Sequence, residues 1–137
     1  MKTVIGFLLL INFFLTGELY SQTKKLKTFK NITPTELKQI SESDPTAVIL
    51  DVRTKKEYRK GHISNSFNAG NSKALTKITD TLDLDQPLLV YCDEGTRSFT
   101  ACIILKEKGF LNVFNLETGL IGWKESGFNL IKRKLSD

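Results

Sequence analysis

Cys92 opens the run Tyr91-Cys-Asp-Glu-Gly-Thr-Arg-Ser98, which leaves the apolar stretch from Pro87 to Tyr91 and enters an amphipathic segment expected to turn helical at Arg97 or Ser98. That order puts a thiol at the end of a buried strand, in a tight loop whose backbone N–H groups converge on it, against a helix N-terminus. Oriented amides and the positive end of a helix dipole stabilise negative charge, so the position favours a thiolate. A thiolate with a low pKa is a nucleophile. The chemistry to expect is attack by sulfur on an electrophilic centre, with a covalent intermediate on Cys92.

The loop reads C-x-x-G-x-R-S, with four residues between Cys92 and Arg97. It resembles the active-site loop of the rhodanese family, sulfurtransferases that carry a sulfane sulfur as a cysteine persulfide. The related dual-specificity phosphatases and arsenate reductases of the same fold carry one more residue before the arginine, which widens the cradle for a tetrahedral oxyanion. One residue of length therefore argues against that competitor. The resemblance also extends upstream through Val48 to Arg53, Glu57-Tyr58, Gly61-His-Ile63 and Asn68, and downstream through Leu105, Gly109-Phe110, Val113 to Leu116, Gly119 and Trp123. It spans roughly residues 30 to 130, a whole domain, and implies a small α/β rhodanese-like domain with a central, mostly parallel sheet covered by helices on both faces.

The resemblance implies roles residue by residue. Cys92 attacks the outer sulfur of a donor, holds it as Cys92-S-SH and passes it to a thiophilic acceptor, cyanide or a thiol. Gly95 adopts the left-handed conformation that lets the loop turn sharply, and Thr96 completes the loop. Arg97 either orients an anionic donor or braces the loop through backbone carbonyls. Ser98 either places a hydroxyl near the sulfur or caps the helix. Backbone amides from Asp93 to Ser98 are the expected stabilisers of the thiolate and persulfide. Asp93 and Glu94 depart from the neutral or basic residues commoner in the family. Two carboxylates there are expected to raise the thiol pKa and repel thiosulfate, which favours a persulfide, polysulfide or protein donor. Asp51 and Arg53 border a buried strand and are expected to be structural, with Arg53 pairing an acid such as Glu57. His62 is the sole histidine; sulfur transfer through a thiolate needs no general base, so packing is its expected role. Trp123 is expected in the core. No metal or organic cofactor is implied.

These residues need elements to hold them. Thr33-Pro-Thr-Glu36 reads as a capping box opening a helix through Glu42. Ala47 to Asp51 and Leu88 to Tyr91 read as buried strands, Ser66 to Ala69 as a short strand, and Val113 to Asn115 as the last. Helices are expected at Lys55 to Lys60, Ser72 to Leu82, Arg97 to Lys108 and Thr118 to Ser126. Strands alternating with helices imply a parallel sheet, with ligands bound beyond the C-terminal strand ends where Asp51 and Cys92 fall.

The first residues read differently. A short positive start, Met1-Lys2, precedes an apolar run from Val4 to Leu15, and Thr16 to Gln22 is small and polar. An apolar core of about a dozen residues is short for a bilayer that takes about 20, so residues 1–21 are expected to be a secretory signal peptide, with an uncleaved anchor as the alternative. Residues 22–28 form a polar leader, 29–131 the domain and 132–137 a basic tail. The protein is accordingly expected to be exported, periplasmic or secreted, and to meet a membrane only if the segment stays uncleaved. The net charge is +5, spread without the aromatic interleaving of a nucleic-acid surface, so no nucleic acid is expected. Cys102 is expected to face the core and Cys92 to stay free, with a reductant or protein thiol as partner. A non-catalytic module that binds a protein or delivers persulfide to it is the competing reading from a different class.

Overall fold

The computed structural model describes residues 28–132. The proposed signal segment, most of the leader and most of the basic tail lie outside them. The chain runs β1 (Lys30–Ile32), α1 (Pro34–Ser43), β2 (Val48–Asp51), α2 (Lys55–Lys60), β3 (Ser66–Asn68), α3 (Ser72–Thr79), β4 (Leu88–Tyr91), α4 (Thr96–Glu107), β5 (Val113–Leu116) and α5 (Gly119–Glu125). The five strands form one sheet in the order β1-β5-β4-β2-β3. Every strand pair in it is parallel.

All four residues of β2 and all four of β4 are buried. Their alternate residues feed two separate cores. Val48, Leu50, Leu88 and Val90 pack with Leu75 of α3 and with Ala101, Cys102 and Leu105 of α4. Ile49, Leu89 and Tyr91 pack on the other face with Leu37 of α1 and with Leu120 and Trp123 of α5. A strand covered on both faces has no solvent side, which is why these segments read as continuous apolar runs.

Expected element ends mostly hold or shift by a single residue, and three differences have an identifiable cause. The edge strand β1 carries no sequence signal: Lys30-Asn31-Ile32 buries only Ile32, so it has neither a run nor an alternation to reveal it. α3 stops at Thr79, short of the expected Leu82, because Thr81 and Leu82 donate to Ile78 and Thr79 in tighter turns. α4 begins at Thr96, before Arg97, for a reason that belongs to the active-site loop. Among the described residues no helix is long and apolar enough to cross a membrane.

Candidate active site

β4 is the middle strand of the sheet. Its C-terminal end therefore opens into the crevice between the β2–α2 and β5–α5 connections, and Cys92 is the first residue past it. The residue is 1% exposed. Gly95 then turns the chain with φ 89° and is the N-cap of α4, with no side chain to take up the helix's first N–H groups. The sulfur of Cys92 lies against that helix start. The Gly95 N–H donates to Sγ at 3.2 Å, and the Ser98 hydroxyl lies 3.4 Å from it. Burial pushes the thiol pKa up. The Ser98 hydroxyl and the N–H groups of Ser98, Glu94 and Gly95 outweigh that, leaving it below its ordinary value. The low pKa expected of a thiol between a strand end and a helix start is thus the direction found, and the opposing rise expected from Asp93 and Glu94 does not prevail.

The loop is held from behind by a device the sequence reading missed. At the start of α5 the N–H groups of Leu120 and Ile121 donate to the carbonyls of Cys92 and Asp93 at 2.9 and 3.1 Å. With the carbonyls fastened there, the loop's N–H groups are free to face the sulfur. The approach is close enough that a Cβ on Gly119 would come within 2.4 Å of the Asp93 main chain, and one on Gly95 within 2.0 Å of the Glu117 carbonyl oxygen. The sequence signal for it is the Gly119-x-x-x-Trp123 spacing.

The charged residues pair differently from expectation. Arg53, 5% exposed, grips the fully buried carboxylate of Asp51 through Nε and Nη2, donates to the Gly61 carbonyl at 2.7 Å and reaches Asp93 Oδ1 at 3.3 Å. It does not pair with Glu57, whose carboxylate takes both Nη1 and Nη2 of Arg97, at 3.2 and 2.9 Å. Arg97 also donates to Asp93 Oδ2 at 2.9 Å, so it braces the loop through carboxylates and not through carbonyls. Glu57 closes a capping box with Thr54 at the start of α2. Arg97 first, then Thr54, hold its carboxyl well below the usual range. The Thr54-x-x-Glu57 spacing is the sequence signature of that box. Asp93 is thereby paired with two guanidinium groups, which it shares with Asp51 and Glu57, whereas Glu94 is exposed.

Ser98 does not cap the helix; its hydroxyl also donates back to the Gly95 carbonyl at 3.1 Å. Thr96 is exposed. His62 stacks on Tyr58 with centroids 3.7 Å apart, bonds the Tyr58 carbonyl through Nδ1 and pairs by main chain with Ile131, so it packs as expected. Both cysteines are free and Cys102 is fully buried. Trp123 is buried in the core.

A buried sulfur that accepts from the Gly95 N–H and lies beside the Ser98 hydroxyl, at the mouth of a parallel sheet, is placed to hold negative charge. Comparison with known proteins agrees with that description. The family model of the Rhodanese-like domain matches residues 33–126. The thiosulfate sulfurtransferase GlpE of Shewanella oneidensis is 33% identical over 101 residues, which is 74% of this chain and 98% of that protein. The crystal structure of a rhodanese-related protein from Thermoplasma volcanium superposes with a TM-score of 0.63 at 28% identity, covering 75% of this chain and 98% of that one. A rhodanese-like domain protein from Staphylococcus aureus gives 0.65 at 25% identity, covering 77% and 100%.

Proposed function

The chain belongs to the rhodanese-like domain family, and from that premise we propose that it is a sulfurtransferase whose Cys92 carries one sulfane sulfur at a time. The observation that carries the reading is the convergence of the Gly95 N–H and the Ser98 hydroxyl on Sγ, at 3.2 and 3.4 Å. Those donors stabilise a thiolate before transfer and the anionic persulfide after it.

The cycle needs no external oxidant. The Cys92 thiolate attacks the outer sulfur of a donor, a new S–S bond forms, and the donor's inner group leaves with the bonding pair, as sulfite where the donor is thiosulfate. An acceptor thiolate or cyanide then attacks the outer sulfur of Cys92-S-SH. The Cys92 S–S bond breaks and its electron pair returns to Cys92 as thiolate, leaving a new persulfide or thiocyanate. A sulfur only 1% exposed suits slim reactants that present a terminal atom, and suits a phosphoryl centre poorly.

Asp93 shares Arg53 and Arg97 with Asp51 and Glu57, whereas Glu94 is exposed and is the loop carboxylate better placed to repel a dianion. Persulfides and polysulfides are the favoured donors over thiosulfate, and a small thiol or protein thiol the acceptor. The short positive start and the apolar run from Val4 to Leu15 support export, with the domain working in the periplasm or outside the cell. Sequencing the N-terminus of the protein from fractionated cells tests this, and an intact Met1 in the cytoplasm would overturn it.

Thiocyanate formation from cyanide tests the reaction, with inorganic polysulfide and thiosulfate as donors. Polysulfide is expected to be the better donor, Cys92→Ser to abolish both rates, and Glu94→Gln to raise the thiosulfate rate roughly two- to threefold by removing one repelling charge. Equal rates that Glu94→Gln leaves unchanged would refute the donor preference. Turnover retained in Cys92→Ser would refute the mechanism.

A further inference from the structure

The Gly95 carbonyl has more donors than it needs. Phe99 N–H reaches it at 3.1 Å, the Ser98 hydroxyl at 3.1 Å and Asn115 Nδ2 at 3.4 Å. A carbonyl oxygen offers two lone pairs, so three donors compete for it. Two of them are fixed by a helix and a strand. The hydroxyl alone can rotate, and its single proton can turn instead to Cys92 Sγ at 3.4 Å.

Asn115 lies on β5 and is 2% exposed. Its amide orientation follows from its neighbours, because both the Gly95 carbonyl and Asn31 Oδ1, at 3.0 Å, accept from Nδ2. That leaves its own Oδ1 buried with no hydrogen-bond partner. An orphaned acceptor is unfavourable, and an apolar residue of similar size would avoid it in a strand covered on both faces. Packing does not account for an asparagine here, whereas its second N–H does.

We propose that Asn115 is a positioning residue for sulfur transfer, holding the Gly95 carbonyl so that the Ser98 hydroxyl is released to the Cys92 sulfur whenever that sulfur is ionised. With the thiol protonated, S–H donates to Ser98 Oγ while the hydroxyl proton stays on Gly95 O. With the sulfur anionic, the hydroxyl turns to it, and Asn115 and Phe99 keep the carbonyl satisfied. Without Asn115 the carbonyl competes harder for the hydroxyl and the anion is less well stabilised. The functional meaning of this switch rests on Cys92 as the sulfur carrier, but the switch is a property of the thiol and is measured on it.

The test is the pH profile of Cys92 alkylation by iodoacetamide in the full chain, for wild type, Asn115→Leu, Ser98→Ala and the double variant. Asparagine to leucine keeps the volume and removes the donor. Asn115→Leu is expected to move the profile to higher pH and to lower the rate at pH 7 on the order of threefold, a shift of about half a pH unit. Ser98→Ala is expected to move it further, and Asn115→Leu to add nothing in the Ser98→Ala background, since its effect passes through that hydroxyl. The ionisable groups of the elements packed against Cys92, which are Asp93, Glu94 and Arg97 in the loop, Arg53 after β2, Cys102 in α4 and Glu117 after β5, are the same in every variant and cancel. An equal Asn115→Leu effect in both backgrounds, or a wild-type profile for Asn115→Leu, overturns the proposal. Should Asn115→Leu not fold, Asn31→Ala loosens the same amide from the sheet edge; a shift in the same direction supports the proposal and an unmoved profile overturns it. If the profiles shift as expected while no variant transfers sulfur, the carrier reading fails and the positioning role stands.

Discussion

Replacing Gly95 with alanine separates two penalties that sequence inspection would lump together. A left-handed backbone disfavours an L side chain by about 1–2 kcal/mol, and at Gly95, with φ 89°, the new Cβ would also meet the Glu117 carbonyl oxygen at 2.0 Å. Gly127 supplies the control, with φ 80° and nothing within 4 Å of its Cβ position. Gly127→Ala carries only the conformational penalty, part of it offset by a less flexible unfolded chain, for a net loss of about 1 kcal/mol. Gly95→Ala must also push the loop from the β5–α5 turn, which breaks the Leu120 and Ile121 bonds to the loop carbonyls and the Gly95 N–H bond to Sγ. At about 1 kcal/mol for each of these, the total reaches about 4 kcal/mol. A domain of this size loses about 4–8 °C in Tm per kcal/mol. Thermal unfolding should therefore show a drop of about 4–8 °C for Gly127→Ala and at least about 15 °C for Gly95→Ala, with loss of Cys92 reactivity in the second alone. If Gly95→Ala melts within a few degrees of Gly127→Ala, the tight seat of the loop on the Glu117 turn is wrong.

Glu57→Gln tests the outer brace. A carboxyl whose folded pKa is depressed stabilises the fold above its unfolded pKa of about 4.3 and loses that contribution as pH falls toward the folded value. The Glu57–Arg97 pair is 32% and 46% exposed, so about 1 kcal/mol is its ceiling. Urea midpoints of wild type and Glu57→Gln should differ at pH 7 and converge as pH drops below about 4; a constant gap would mean that the charge contributes nothing. Burial pushes the Cys102 thiol up to about 12. The native protein should thus take a single alkyl group at pH 8, and Cys102→Ala should keep the reactivity of Cys92. Two alkyl groups on the folded protein would contradict that placement.

The placement of Cys92 was legible because a strand, a glycine turn and a helix are each written locally, and together they fix where a thiol sits relative to backbone amides. The buried runs of β2 and β4 were legible for the same reason. Pairings across the fold were not. Arg53 and Glu57 are close in sequence and invite pairing. Yet Arg53 points inward to Asp51 and across to Asp93, 40 residues away, while Glu57 faces Arg97, also 40 residues away. The clamp of α5 on the Cys92 and Asp93 carbonyls depends on β5 lying beside β4, a topological fact with no local signature. β1 was invisible because an edge strand of polar residues buries a single side chain.

The central claim is tested most directly by the intact mass of the reduced protein after incubation with inorganic polysulfide, beside Cys92→Ser treated alike. A persulfide carrier gains one sulfur, about 32 Da by atomic mass, which dithiothreitol removes and the variant never acquires. A reduced, folded protein that gains no sulfur, or a Cys92→Ser protein that gains the same mass, would contradict it.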